Sequence, residues 1–137
     1  MSPKTWLAAL SCSLPLWAAG GAWAAAPAAM TGDAARGEAV YSRCLACHAL
    51  AYDRTGPRHC GLFGRQAGTV PGFAYSDAMR NSKIIWDEKT LDAFLQNPLK
   101  AVPGTSMGYA GISDAQERAD LIAYLKKENA SADCKGK

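Results

Sequence analysis

The sequence lacks clusters of positive charge and any internal repeat. Its 137 residues include 15 lysines and arginines against 12 aspartates and glutamates, and no stretch combines a basic run with aromatic side chains. Nucleic acid is therefore a poor partner, because the phosphate backbone is bound by clustered cations. The length suits a single domain, and no repeat architecture is indicated.

The sequence also lacks the strict alternation of apolar and polar residues that indicates β-strands. Glycine and proline instead separate short helical segments by two long loops, at residues 51–72 and 98–111. Long loops inside a small domain count against a conventional protein core. We therefore expect an all-α fold of three to four helices, whose loops wrap around a large apolar group that completes the interior.

Four segments carry helical patterns, at residues 33–47, 76–83, 87–97 and from 113 onward. Thr31 or Asp33 is expected to cap the first helix, and Asp87 the third, which should stop before a proline. Ser113 and Gln116 form a predicted capping box for the last helix. The apolar side of that helix is predicted to consist of Leu121, Ile122, Tyr124 and Leu125.

The first 24 residues differ from the rest of the chain. Lys4 precedes an apolar run at residues 6–17, and a tract of alanine and glycine follows. This order is typical of a secretory signal peptide, here cleaved after Ala24 to leave residues 25–137 as the mature domain. An uncleaved membrane anchor is the alternative, but the run is shorter than the ~20 residues that a span needs and contains a proline. We expect an exported, periplasmic protein without stable membrane insertion.

The segment CLACH holds Cys44, Cys47 and His48 within five positions. A thioredoxin-like redox site would need a β-α-β pattern, and a zinc site would need two further ligands, for which no second C-x-x-C or H-x3-H is present. A histidine directly after the second cysteine is the pattern that attaches haem c. The two cysteines can each form a thioether, which brings His48 beneath the iron. We expect one covalently bound haem c.

A haem iron that carries electrons usually has a second axial ligand. Met107 is the candidate, because it lies in the small-residue loop PGTSMGYAG, where it has no helical face to fill. Met79 lies in a helical stretch and is expected to fill the core, as most methionines do. His59 is a rival ligand, but it follows His48 too closely to reach around the macrocycle comfortably, and we expect it at the surface.

With these residues in place, the chain resembles the class I cytochromes c, specifically the mitochondrial-type branch and its bacterial periplasmic relatives. The resemblance covers about Gly32 to Lys127 and rests on five segments in the family's order: GDAARGEAVYSRCLACH, TGPRHCGLFGRQAGTVPGFAYS, IIWDEKTLDAFLQNP, VPGTSM and ERADLIAYLK. It implies the small cytochrome c fold for residues 25–137, with three to four helices around one haem.

The resemblance also implies roles for individual residues. Cys44 and Cys47 attach the haem, His48 and Met107 bind the iron, and the Pro57 carbonyl accepts the other ring proton of His48. Four positions match those that hydrogen-bond the haem propionates or their neighbours: Arg65, Tyr75, Trp86 and Thr105.

The sequence departs from the resembled family at the expected haem edge. Leu99 and Ser106 stand where mitochondrial members carry lysines, with Lys100 nearby. Phe94 stands where the family often has a tyrosine whose hydroxyl contacts the methionine sulfur. Because Leu99 and Ser106 replace lysines at the expected haem edge, the sequence gives less support to a partner with a strongly acidic docking site.

Two cysteines remain once the haem cysteines and Cys12, which leaves with the signal peptide, are set aside. Cys60 and Cys134 form an even pair in an oxidising compartment, and we expect a disulfide that ties the tail to the glycine-rich loop. Two free thiols are the alternative.

Two axial ligands leave no open iron position, and the chain has no evident acid, base and nucleophile set. We expect a non-enzymatic, monomeric, soluble electron carrier that shuttles single electrons between redox proteins, such as a membrane respiratory or photosynthetic complex or a periplasmic dehydrogenase. A peroxidase or gas-binding sensor is an alternative that requires Met107 to leave the iron. A subunit permanently bound to a dehydrogenase or oxidase is another.

Overall fold

The computed structural model describes residues 30–136, and this part of the chain is helical without a named β-strand. The expected signal peptide at residues 1–24 lies outside the described residues. Five α-helices are present: α1, Ala34–Tyr41; α2, Asp77–Asn81; α3, Glu88–Gln96; α4, Pro98–Ala101; and α5, Ala115–Asn129. None of the helices in this part of the chain is long and apolar enough to cross a membrane. The all-α expectation is confirmed.

The helices differ from the sequence expectation in two places: the first is shorter, and an additional helix follows α3. The first was expected to reach residue 47, but α1 ends at Tyr41 and passes into a 3₁₀ turn at Ser42–Cys44. The proline that was expected only to end α3 also begins α4, so that there are five helices rather than three or four. Pro98 stands at the first position of α4, where its missing N–H is not needed, and Asn97 caps that helix by accepting from the N–H of Lys100.

The helix caps are mostly those expected. Asp33 caps α1 by accepting from the N–H groups of Ala35 and Arg36, the second and third helical residues. Asp87 exchanges hydrogen bonds with Thr90 at the start of α3. The predicted capping box of the last helix is wrong by one residue. Asp114, not Ser113, caps α5 by accepting from the N–H of Glu117.

Helices α1 and α5 approach each other closely at a glycine. A Cβ atom placed on Gly37 would lie 2.0 Å from the backbone carbonyl oxygen of Asp120 and 2.7 Å from the Cβ of Tyr124. One turn further along, the rings of Tyr41 and Tyr124 pack with their centroids 5.1 Å apart. Only glycine permits this crossing, which fixes α1 against α5 and so sets where the chain enters the CLACH segment.

The carboxylate of Asp120 joins the same two helices by hydrogen bonds. It accepts from the backbone N–H of Asp33 at 2.7 Å, from the Nε and Nη2 atoms of Arg36 at 2.7 and 2.9 Å, and from the side-chain amide of Gln116 at 2.8 Å. These bonds, led by Arg36, hold the pKa of Asp120 well below its ordinary value of 3.8. The charged carboxylate is therefore the form that the fold stabilises.

The long loops are tied to the rest of the fold by a disulfide and by hydrogen bonds. Cys60 and Cys134 form a disulfide with Cα atoms 4.9 Å apart across a sequence separation of 74, which confirms the expected bridge between loop and tail. The N–H of Leu62 also donates to the side-chain oxygen of Asn129 at 2.9 Å. A single antiparallel bridge, between Gln66 and Ile85, joins the glycine-rich loop to the segment before α3.

Replacing Asp120 by asparagine tests this joint between helices. Because the folded pKa is depressed, the ionised carboxylate contributes stability above its unfolded pKa, and this contribution is lost as the pH falls below about 4 toward the folded pKa. We expect Asp120→Asn to lower the melting temperature at neutral pH, and the gap from the wild type to narrow below about pH 4 in thermal melts. The exposed-site variant Asp77→Asn should show no such gap. A gap of constant size down to about pH 2 would contradict the proposed charge interaction.

Candidate functional site

A cavity of about 470 Å³, open to solvent at one rim, lies between α1, α2, α3, α5 and both long loops of the described chain. Protein interiors are close-packed, so an apolar space of this size is a binding site rather than a packing defect. The apolar walls come from all of these elements and include Leu62, Phe73, Met79, Trp86, Leu91, Phe94, Leu95, Leu121 and Leu125. The space suits a large apolar group, as the sequence analysis anticipated.

The two cysteines of CLACH border this cavity at the end of the first helix. Cys44 is half-buried, Cys47 is exposed, and neither forms a disulfide. A turn of backbone holds them on one side, because the N–H groups of Cys47 and His48 both donate to the carbonyl of Cys44, at 3.1 and 2.9 Å. Burial raises the pKa of the Cys44 thiol. Within residues 30–136, no three or more histidine, cysteine, aspartate or glutamate side chains are grouped so that they could hold a metal ion. The zinc alternative therefore lacks a site in this part of the chain.

His48 lies in the cavity wall with one ring nitrogen already engaged. Its Nδ1–H donates to the carbonyl oxygen of Pro57 at 2.8 Å, which leaves Nε2 as the nitrogen able to bind a metal. Burial lowers the pKa of His48, so the ring is neutral at neutral pH. Gly56 packs against its edge, since a Cβ there would lie 2.3 Å from Cε1 of His48.

Met107 reaches the same cavity from the loop that precedes α5. It is half-buried, and its backbone N–H donates to the hydroxyl of Thr105 at 3.3 Å. The structure thus brings an imidazole and a thioether to one enclosed space. Met79 also lines the cavity, from α2, and is buried in the core as expected of a core-filling methionine.

The polar residues named from the resemblance all line the cavity: Arg65, Tyr75, Trp86 and Thr105. Arg65 donates to the carbonyls of Cys60 and Arg58 at 2.9 and 3.1 Å, and within the described residues it has no ion pair. Burial lowers the pKa of Arg65. A partly buried guanidinium of this kind is stabilised by an anionic group, so it suits the propionate carboxylates of a haem.

His59 is placed differently from the expectation, which put it at the surface. Its ring stacks on that of His48 with centroids 4.3 Å apart and planes 21° apart, and its Nδ1 shares a 3.1 Å hydrogen bond with the hydroxyl of Tyr41. Burial, with smaller contributions from His48 and Arg65, lowers the pKa of His59 to about 3. A ring stacked on His48 lies beside it and does not face it across the cavity.

The contact of His59 with His48 was not predicted from the sequence. His59 follows Pro57 by two residues and directly precedes Cys60, so it lies between two positions already assigned a role. Nothing in this local pattern indicated that its ring would contact His48.

The described side chains fit a covalently attached haem. Two free thiols lie three residues apart at the cavity edge, a neutral imidazole offers one free nitrogen, a thioether borders the same space, and one unpaired guanidinium is available for carboxylates. A cysteine pair, an imidazole and a thioether are the groups by which c-type cytochromes hold haem.

Comparison with known proteins gives the same result. The family model described as Cytochrome c matches residues 34–128. Cytochrome c2 of Blastochloris viridis is 49% identical over 108 residues, covering 77% of this chain and 84% of the relative, and cytochrome c of Euglena viridis is 48% identical over 98 residues, covering 69% and 96%. Among solved structures, cytochrome cH from Methylobacterium extorquens has a TM-score of 0.68 at 44% identity, covering 70% of this chain and 99% of that one. The chain belongs to the cytochrome c family, whose members are electron carriers with one covalently attached haem c.

Proposed function

We propose that this protein is a periplasmic carrier that moves single electrons between redox protein complexes. The observation that supports this most strongly is that His48 and Met107 border one apolar cavity, where together they would bind the iron of a haem and leave no position open to substrate. When bound, the haem supplies reversible one-electron change between Fe(III) and Fe(II). The protein supplies attachment, ligation and a dry environment.

The side chains at the cavity have distinct roles in this proposal. Cys44 and Cys47 form the thioethers that keep the cofactor in place whatever happens at the iron. His48 binds the iron through Nε2, and the Pro57 carbonyl fixes its tautomer by accepting from Nδ1 at 2.8 Å. Met107 would provide the second ligand, and its uncharged sulfur in an apolar cavity would favour the ferrous state and so raise the reduction potential.

The polar cavity residues are proposed to hold the propionates. Arg65 contributes the charge, and three neutral side chains contribute hydrogen bonds: Tyr75, Trp86 and Thr105. Arg65 also donates to the carbonyls of Arg58 and Cys60, on the two sides of His59. It would therefore connect one propionate to the loop that contacts the His48 ring.

The same methionine-to-leucine substitution, made separately at Met107 and at Met79, tests the assignment of Met107 as iron ligand. Met107→Leu conserves volume but removes the sulfur, so we expect the weak red charge-transfer band of the ferric protein to disappear and the ferrous protein to bind carbon monoxide at neutral pH. Met79→Leu, in the same cavity, should keep the band and exclude carbon monoxide. Prompt carbon monoxide binding by the wild type, or a band that survives in Met107→Leu, would contradict electron transfer through a closed iron.

Export is proposed from the first 24 residues together with the disulfide. Structural disulfides form in oxidising compartments, and Cys60–Cys134 therefore agrees with a periplasmic location. We expect N-terminal sequencing of the protein from a periplasmic extract to begin at Ala25. Recovery of chains that still carry Met1 in the membrane fraction would instead support an uncleaved anchor.

The rim of the cavity indicates the kind of surface that the partner presents. The lining residues that are exposed are Arg43, Ala46, Cys47, Thr55, Ser106 and Gly108. Arg43 is the single charged member, and it forms an ion pair with Glu117 at 2.7 Å. We therefore propose a partner whose contact patch is largely uncharged.

This proposal predicts a weak dependence of electron transfer on ionic strength. We expect the reoxidation rate of the reduced protein by membranes of its host to change less than about threefold with salt, against the 10- to about 10³-fold range of steered association. Ser106→Lys and Leu99→Lys each add a cation near the rim and should increase the salt dependence if the partner carries acidic groups nearby. A steep fall of the wild-type rate with salt would contradict a neutral contact patch.

A further inference from the structure

The His59 ring is fixed from two directions. One face stacks on His48, with ring centroids 4.3 Å apart. The Tyr41 ring meets His59 edge-on, with centroids 5.6 Å apart, and its hydroxyl shares the 3.1 Å hydrogen bond with Nδ1 at the edge of the ring. Rotation of the His59 ring would break that hydrogen bond and the stack together.

The backbone that carries His59 is anchored on both sides. Its own N–H donates to the carbonyls of Ala49 and Leu50, each at 3.1 Å, and the next N–H also donates to Leu50, at 2.7 Å. The guanidinium of Arg65 binds the carbonyls of the residues immediately before and after it. The residue after it is Cys60, which is linked to the C-terminal tail by the disulfide.

We propose that His59, held by Tyr41, is a positioning residue for His48. The inference rests on the proposed function, in which His48 binds the iron. His59 covers one face of the His48 ring, keeps the plane of that ring constant, and shields from water the hydrogen bond between Nδ1 of His48 and the carbonyl of Pro57.

The arrangement gives these effects a physical basis. The His48 ring can turn about its Cα–Cβ and Cβ–Cγ bonds. Such a turn would bring it into contact with the His59 ring or with the backbone of Gly56, which lies so close that a Cβ added there would be 2.3 Å from Cε1. A bond from the second ring nitrogen to a carbonyl sets the orientation and basicity of a ligating histidine. By shielding the hydrogen bond between Nδ1 of His48 and the Pro57 carbonyl, His59 would therefore influence the iron only through His48, without contacting the iron.

The test uses the haem-loaded protein and two spectroscopic readouts on His48. In the ferrous state, NMR measures the exchange rate of its Nδ1 proton. In the ferric state, the spread of the haem methyl shifts reports the plane of the axial imidazole. We expect His59→Ala to accelerate proton exchange by about tenfold or more and to change the methyl spread. Tyr41→Phe, which removes only the hydroxyl, should change both readouts in the same direction by less.

A control separates positioning from general loss of stability. Ile112→Val removes one buried methylene outside the cavity, so it should leave the methyl spread unchanged and set the exchange rate expected from lower stability alone. The proposal is overturned if His59→Ala matches the wild type or Ile112→Val in both readouts. A failure of the proposed function would appear in the wild type itself, as a ferric spectrum without hyperfine-shifted His48 ring signals.

Discussion

Close packing is the constraint on which this structure depends. The helices and loops enclose about 470 Å³ with mostly apolar walls, and a protein interior does not tolerate a space of that size. The haem is therefore part of the hydrophobic core as well as the redox centre. This explains how residues 30–136, with five helices of at most 15 residues and two long loops, pack together.

The contacts between protein elements place His48 and Met107 around that space. The α1–α5 crossing at Gly37 and the Asp120 hydrogen bonds set the position of CLACH at the end of the first helix. The loop at residues 57–60 then meets the His48 ring through a carbonyl and a stacked imidazole, and the disulfide ties that loop to the tail. The side of the cavity that carries His48 is thus held by covalent and hydrogen-bonded contacts, whereas Met107 comes from a loop with fewer of them.

Local chemistry explains which features could be predicted from the sequence. Asp33 and Asp87 cap helices through atoms within a few residues, and the attachment motif is a five-residue pattern. The disulfide followed from counting cysteines once two were assigned to haem. Features that depend on the folded environment were missed or displaced. Pro98 both ends one helix and begins another, and a shift of a single residue moved the cap of α5 to Asp114.

The placement of His59 could not be predicted from local pattern, because its partners are separated from it in sequence and meet only around the cavity. Tyr41 lies 18 residues before it, on the first helix. Histidine is intermediate in its preference for burial, so composition favoured neither the surface nor the interior. The same reasoning applies to the four polar cavity residues proposed to hold the propionates, which the family resemblance indicated and periodicity did not.

The most direct test of the central claim is the amide NMR spectrum of the chain prepared without haem. In the double variant Cys44→Ala/Cys47→Ala, purified free of cofactor, we predict poorly dispersed amide signals, because the apolar walls have nothing to pack against. A well-dispersed, native-like spectrum from the haem-free chain would contradict the claim that the cofactor completes the core.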